Sequence, residues 1–177
     1  MTEWRLLLLR HAKSSWDDPD LSDHDRPLSK RGREVGELLR AMFRERAIRP
    51  DLVLVSSARR AVETLEALQP WESPPRVDVL SALYHAPAPA LLEIIRAAPD
   101  FARVLLVIGH NPGLQDFAVS FAGRRDDALV QRMAEGYPTG AFAQFEVERP
   151  RSRIEMGCAK LTDFVTPKEL GRARRGA

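Results

Sequence analysis

The chain has 177 residues, 44% hydrophobic and 29% charged, which fits one soluble globular domain with a substantial core. Its 27 Lys and Arg against 25 Asp and Glu leave a formal net charge of +2, too small to point to nucleic acid. No apolar run approaches the ~18 residues of a membrane span, MTEWRLLLLRH lacks a signal-peptide pattern, and Cys158 as sole cysteine excludes an intrachain disulfide, so the expectation is a cytoplasmic monomer.

Residues 4–9, WRLLLL, predict a buried strand that ends in Arg10 and His11. In the segment from Ser29 to Ile48, Val35, Leu38, Leu39, Met42 and Phe43 recur at helical spacing, with Ser29 as the expected N-cap. DLVLVSS (51–57) predicts a second strand. Ala58, Ala61, Val62, Leu65 and Leu68 then predict a helix capped by Ser57. RVDVL (76–80) reads as a short strand, and the segment around Pro89 as a helix that stops before Pro99. RVLLVIG (103–109) is a continuous apolar strand. It leads into a helix expected to have Asn111 as cap and Pro112 as first residue. GAFAQFEVE (140–148) and RIEMGCAKLTDFV (153–165) read as two strands joined by a polar turn, with Cys158 a small core residue in the second.

Strands alternating with helices imply a three-layer α/β/α sandwich around a mostly parallel central sheet. The expected organisation is a single domain over 1–168 and a basic C-terminal tail over 169–177. Ligands of such sheets bind beyond the carboxyl ends of the strands. Three predicted strands end in unusual residues there: Arg10-His11, Ser56 to Arg60, and His110-Asn111.

Arg60 falls in the first turn of its helix, where the dipole disfavours a cation unless an anion is bound. Arg59 shares that position, but consecutive helical residues diverge by about 100°, so one of the two faces the site. His110 precedes a helix N-terminus suited to an anion, and Arg10 offers a planar fork for phosphate oxygens. A phosphate pocket containing a neutral histidine suggests covalent catalysis, with arginines and a second histidine neutralising the transferred group. The histidines at 11, 24, 85 and 110 are far apart in sequence and show no metal-ligand spacing, so neither a metal nor a cofactor is expected.

LLRHAKSSW followed by RPLSKRGR, SSARRAVET and GHNPG, in that order, resembles the histidine phosphatase superfamily. RHAKSSW and the short chain are most similar to its SixA-type phosphohistidine phosphatases, and the resemblance runs from residue 6 to about 168. It implies a phosphoglycerate mutase-like fold, His11 as the phosphorylated nucleophile, and Arg10, Arg60 and His110 as the groups that hold the phosphoryl. The family pattern favours Arg60 over Arg59, because Arg60 directly precedes Ala61 with Thr64 three residues on. Lys13 and Ser14 either touch the phosphoryl group or shape the loop. Arg26, Ser29 and Arg31 lie in a recurrent family stretch that capping and solvation also explain. His24 and His85 are expected in exposed loops.

Many superfamily members carry an acidic proton donor in the region aligning with VLSALYHAP (79–87), and this stretch has none. An alkoxide leaving group needs such an acid, whereas imidazole leaving from phosphohistidine departs with little help. His85 is the one local substitute. The expected substrate is therefore a phosphohistidine-bearing protein, met by an open pocket with short rim loops, of which 12–27 is the longest. The alternatives are a phosphatase of small phosphate esters or nucleotides, or a phosphate-binding regulatory module without turnover.

Overall fold

The structure, a computed structural model, describes residues 3–124 and 127–174. Its single sheet contains β1 (Trp4–Arg10), β2 (Leu52–Ser56), β3 (Arg76–Leu80), β4 (Val104–Gly109), β5 (Phe142–Val147) and β6 (Lys160–Val165). Their order across the sheet is β3-β2-β4-β1-β5-β6. The first four are mutually parallel, β5 runs antiparallel to β1, and β6 antiparallel to β5. Six helices cover the sheet: α1 (Lys30–Glu45), α2 (Arg59–Ala67), α3 (Ala88–Arg96), α4 (Gly113–Phe121), α5 (Ala128–Glu135) and α6 (Pro167–Ala173).

The leucine run of β1 explains the layering. Alternate side chains of a strand point to opposite faces, and Leu6 to Leu9 are all fully buried. Leu6 and Leu8 pack with Leu91 and Ile95 of α3, Phe117 of α4 and Met133 of α5. Leu7 and Leu9 pack with Leu39 and Phe43 of α1, Leu65 of α2 and Leu170 of α6. β1 is thus buried on both faces, which is why it reads as a continuous apolar run rather than an alternating one. The result is the expected α/β/α sandwich.

Several local expectations are corrected. Ser29 caps α1, its side chain accepting from Gly32 N–H, but Ser57 does not cap α2. Its hydroxyl pairs with His24 Nε2 at 2.9 Å, and Ala58 takes the cap position without a side-chain bond. Nor does Asn111 cap α4. Its amide donates to Gln115 Oε1 and the Tyr137 carbonyl, and the helix starts at Gly113 after Pro112. The last strand begins at Lys160 rather than near 153, so Cys158 lies in a loop. Arg151 draws that connection off the sheet: its guanidinium is buried over Trp4 and donates to the carbonyls of Pro99 and Ala102. Finally, α6 takes in residues 169–173 of the expected tail, and 175–177 lie outside the described residues. Among the described residues, no helix is long and apolar enough to cross a membrane.

Candidate active site

Register brings the unusual strand ends together. Arg10 of β1 pairs with Gly109 of β4, and Ile108 of β4 pairs with Val55 of β2. The residues that follow, His11, His110 and Ser56 onward, therefore emerge at one edge of the sheet. The His11 and His110 rings lie with centroids 4.9 Å apart. Arg60, at the second position of α2, places Nε 3.3 Å from His11 Nε2. Arg59 is exposed and pairs instead with Glu63, so Arg60 is the arginine in the pocket. His11, His110 and Arg60 are only 7%, 3% and 3% exposed.

The tautomer of His11 follows from its partners. Nδ1 lies 2.8 Å from the Ala12 carbonyl oxygen, which can only accept, so Nδ1 carries the proton and Nε2 the lone pair. Burial chiefly, then the Arg60 and Arg10 cations, lower the pKa of His11 to about 4, against a hydrogen bond to Ala12 and the charge of Asp23 that raise it. At neutral pH the ring is an uncharged imidazole whose Nε2 lone pair faces Arg60. Thr64 fixes its backbone: its hydroxyl accepts from Ala12 N–H and donates to the Arg60 carbonyl, tying the loop after β1 to α2.

His110 is also uncharged. Burial, then repulsion from His11 and Arg60, lowers its pKa to about 3. His110 Nε2 shares a hydrogen bond with Ser56 Oγ at 2.7 Å, and its buried Nδ1 has no partner. Arg10 donates through Nη1 to the Tyr137 carbonyl, and its buried Nε also lacks a partner. Buried polar nitrogens are rarely left unpaired. These two, with a histidine lone pair and a second guanidinium, suit a tetrahedral oxyanion.

Asp23 was missed by the reading of the sequence, which sought a carboxylate only at 79–87. Loop 12–27 carries it to the pocket mouth. There its Oδ2 accepts from Arg60 Nη2 at 2.9 Å, Tyr84 Oη at 2.7 Å and His85 Nε2 at 3.3 Å, while Arg60 Nη1 bonds its main-chain carbonyl. Burial raises the Asp23 pKa, but the hydrogen bonds from Tyr84, Arg60 and His85 outweigh it and hold the carboxyl well below the usual range. The signal available in the sequence was the acid content of that loop, with Asp17, Asp18, Asp20, Asp23 and Asp25. His85, expected in an exposed loop, is half exposed and stacks on His110 at 5.3 Å. Ser14 donates no contact to the histidines: its hydroxyl accepts from Arg26 Nη2 at 2.6 Å. Lys13 is exposed, its carbonyl bonded to the N–H and hydroxyl of Ser29. Among the described residues, no cluster of three or more His, Cys, Asp and Glu is arranged to hold a metal ion.

Comparison with known proteins agrees with this geometry. The family model of the histidine phosphatase superfamily (branch 1) matches residues 6–82. An uncharacterized protein of Mycobacterium tuberculosis is 35% identical over 162 residues, spanning 90% of this chain and all of that one. A structure assigned as the phosphohistidine phosphatase SixA of Agrobacterium tumefaciens superposes with a TM-score of 0.78 at 28% identity, covering 93% of this chain and 98% of that one. The protein histidine phosphatase SixA complexed with tungstate shares the fold, with a TM-score of 0.76 at 21% identity over 94% of this chain and 99% of its own. By this family match and these relatives, the chain belongs to the histidine phosphatase superfamily and is of the SixA type.

Proposed function

We propose that the protein hydrolyses phosphohistidine on other proteins through a phosphoryl group held transiently on His11. The observation that carries the reading is the locked His11 tautomer, which leaves the Nε2 lone pair facing Arg60, in a pocket that also holds the unpaired nitrogens Arg10 Nε and His110 Nδ1. In the first step Nε2 attacks phosphorus. The substrate ring enters protonated on its other nitrogen, so when the bond from phosphorus to the substrate nitrogen breaks, the electron pair stays on that nitrogen and the ring departs as neutral imidazole. In the second step water attacks phosphorus, the Nε2–P bond returns its pair to His11, and the water proton leaves to solvent. Arg10, Arg60 and His110 meet the charge on the phosphoryl oxygens throughout, so the reading assigns no role to a metal.

The substrate class rests on the leaving group. Asp23 supplies a carboxylate at the mouth, but one held ionised by Arg60 and Tyr84 is a poor proton donor. A free imidazole has a pKa near ~6.5, so it departs without a strong general acid, unlike an alkoxide. One contact favours a second reading: His85, bonded to Asp23 and stacked on His110, is placed to carry a proton over the pocket for the alcohol of a small phosphate ester. The proposed setting is the cytoplasm, in keeping with the single cysteine.

The test is a panel of phosphohistidine protein, p-nitrophenyl phosphate and alkyl phosphates, run with wild type and His11→Ala. Wild type is expected to favour phosphohistidine and to trap an acid-labile phosphoryl group on His11, and His11→Ala to lose turnover by at least about 10³-fold. Turnover surviving His11→Ala overturns the covalent step. Alkyl phosphates cleaved far more efficiently than phosphohistidine overturn the substrate assignment and favour the His85 reading.

A further inference from the structure

Beside the catalytic pocket lies a cavity of ≈ 490 Å³ that the chemistry above does not use. Its charged lining is Lys13, Arg31 and Lys168, with no Asp or Glu, and its remaining walls include Val35, Pro138 and Thr139. Among the described residues none of the three cations forms an ion pair, whereas Arg26, Arg46, Arg49, Arg59, Arg96, Arg132 and Arg149 each pair with a carboxylate. With 25 acidic residues in the chain, an acid-free convergence of three exposed cations is not a default of composition. Arg31 also sits in the first turn of α1, which contains no acidic residue, so it faces the positive end of that helix uncompensated. A bound anion relieves all three.

The cavity is built rather than incidental. The Lys13 carbonyl accepts from both the N–H and the hydroxyl of Ser29, which seats the loop after His11 on the start of α1. That approach is so close that a Cβ at Gly32 would overlap the Lys13 carbonyl. The opposite wall is set by Gly140, where φ is +80° and a Cβ would come within 2.6 Å of Val35 Cγ1. Gly140 N–H in turn donates to the carbonyls of Arg10 and His11 at 3.0 Å. The lining residue Thr139 is therefore joined, through Gly140, to the strand end that carries Arg10 and His11. Lys13 is two residues from His11, a span of at most ~7 Å along the chain.

We propose that this cavity is a second anion subsite, which holds a carboxylate or phosphate carried by the same molecule whose phosphoryl group reaches His11. On a helical partner the matching anion lies one turn from the phosphorylated residue, because residues four apart on a helix lie about 5–6 Å from each other. Resting on the reading above, the group it takes is an acidic side chain one turn from the phosphohistidine on the substrate protein. Three cations around one anion give charge-assisted hydrogen bonds that act on affinity, so the preference appears in KM rather than kcat.

The experiment compares two phosphohistidine peptides that differ only in Glu or Gln four residues from the phosphorylated histidine. A second pair, an alkanediol bisphosphate and its monophosphate, is run in parallel. Wild type is expected to favour the Glu peptide about tenfold in kcat/KM, and the ratio to fall to about one in the Arg31→Gln/Lys168→Gln double variant. Because the readout is a ratio within one enzyme, a general loss of activity does not imitate it, and wild type alone tests the preference should the double variant fold poorly. If neither peptide is cleaved while the esters are, the phosphohistidine reading fails. A bisphosphate preference that the double variant removes then still upholds the subsite for small molecules. Equal rates within both pairs, or a preference the double variant retains, overturn the subsite.

Discussion

Arg60 meets two demands with one guanidinium. Nε points at the His11 lone pair, while both terminal nitrogens are taken by Asp23. A phosphoryl group arriving at His11 Nε2 must displace the first contact and compete with the second. Asp23 thus behaves as a resident anion that keeps two buried guanidinium and imidazole groups from facing an empty pocket. Its side chain is 44% exposed, so the interaction is screened and is worth only about 1 kcal/mol. Asp23→Asn is accordingly expected to tighten inhibition by vanadate or inorganic phosphate about fivefold, measured against p-nitrophenyl phosphate hydrolysis. Weaker inhibition in the variant would show that Asp23 orients Arg60 for the phosphoryl group rather than competing with it.

At the scale of elements, the site depends on two helix starts pressed onto neighbouring loops. A Cβ at Gly113, the first residue of α4, would overlap the Ala86 carbonyl and approach Pro87 Cα at 3.1 Å, both backbone atoms that cannot rotate away. Gly113→Ala must therefore push α4, with His110 just before it, away from the segment carrying Tyr84 and His85. The expected result is a loss of about 1–3 kcal/mol in urea denaturation and a fall in kcat/KM. Gly109→Ala is the control, since its Cβ would meet only Leu114 Cδ1 at an ordinary 3.6 Å. These contacts also mark where the sequence was legible. β1, β2 and β4 are continuous apolar runs because both of their faces are covered, and α1 shows its period because six of its residues are buried. The convergence of Arg10, His11 and His110 with Arg59 or Arg60 followed from the strand ends, and the choice of Arg60 from the family resemblance. α5 went unread because it buries only Val130 and Met133, too few for a period. α6 did carry a readable sign, the Thr166–Glu169 capping box with Pro167 between them. Asp23 carried only the acid-rich composition of its loop, because its partners come from three distant segments and obey no spacing.

The whole molecule pays for its neutral histidines in acid sensitivity. The pKa of His11 is about 4 and that of His110 about 3 in the folded chain, against ~6.5 for an unfolded histidine. Between these values the unfolded chain binds protons that the folded chain refuses, so stability rises with pH across the window. The contribution is fully present above pH ~6.5 and is lost progressively as pH falls towards ~4. Each ring is worth on the order of 2–3 kcal/mol at pH ~4.5, a large part of a typical total of ~5–15 kcal/mol. Asp23 acts in the same direction in a lower window: its folded pKa is depressed, so its contribution is held above the ordinary carboxylate pKa of ~4 and lost only below it. Urea denaturation at pH ~7.5 and ~4.5 separates these effects, since acid loss between the two is dominated by the histidines. His110→Gln keeps a polar group beside Ser56 while removing one titration, and its stability is expected to fall about 2–3 kcal/mol less than that of wild type over the same interval. An acid loss of equal size in the two proteins would locate the sensitivity outside the pocket.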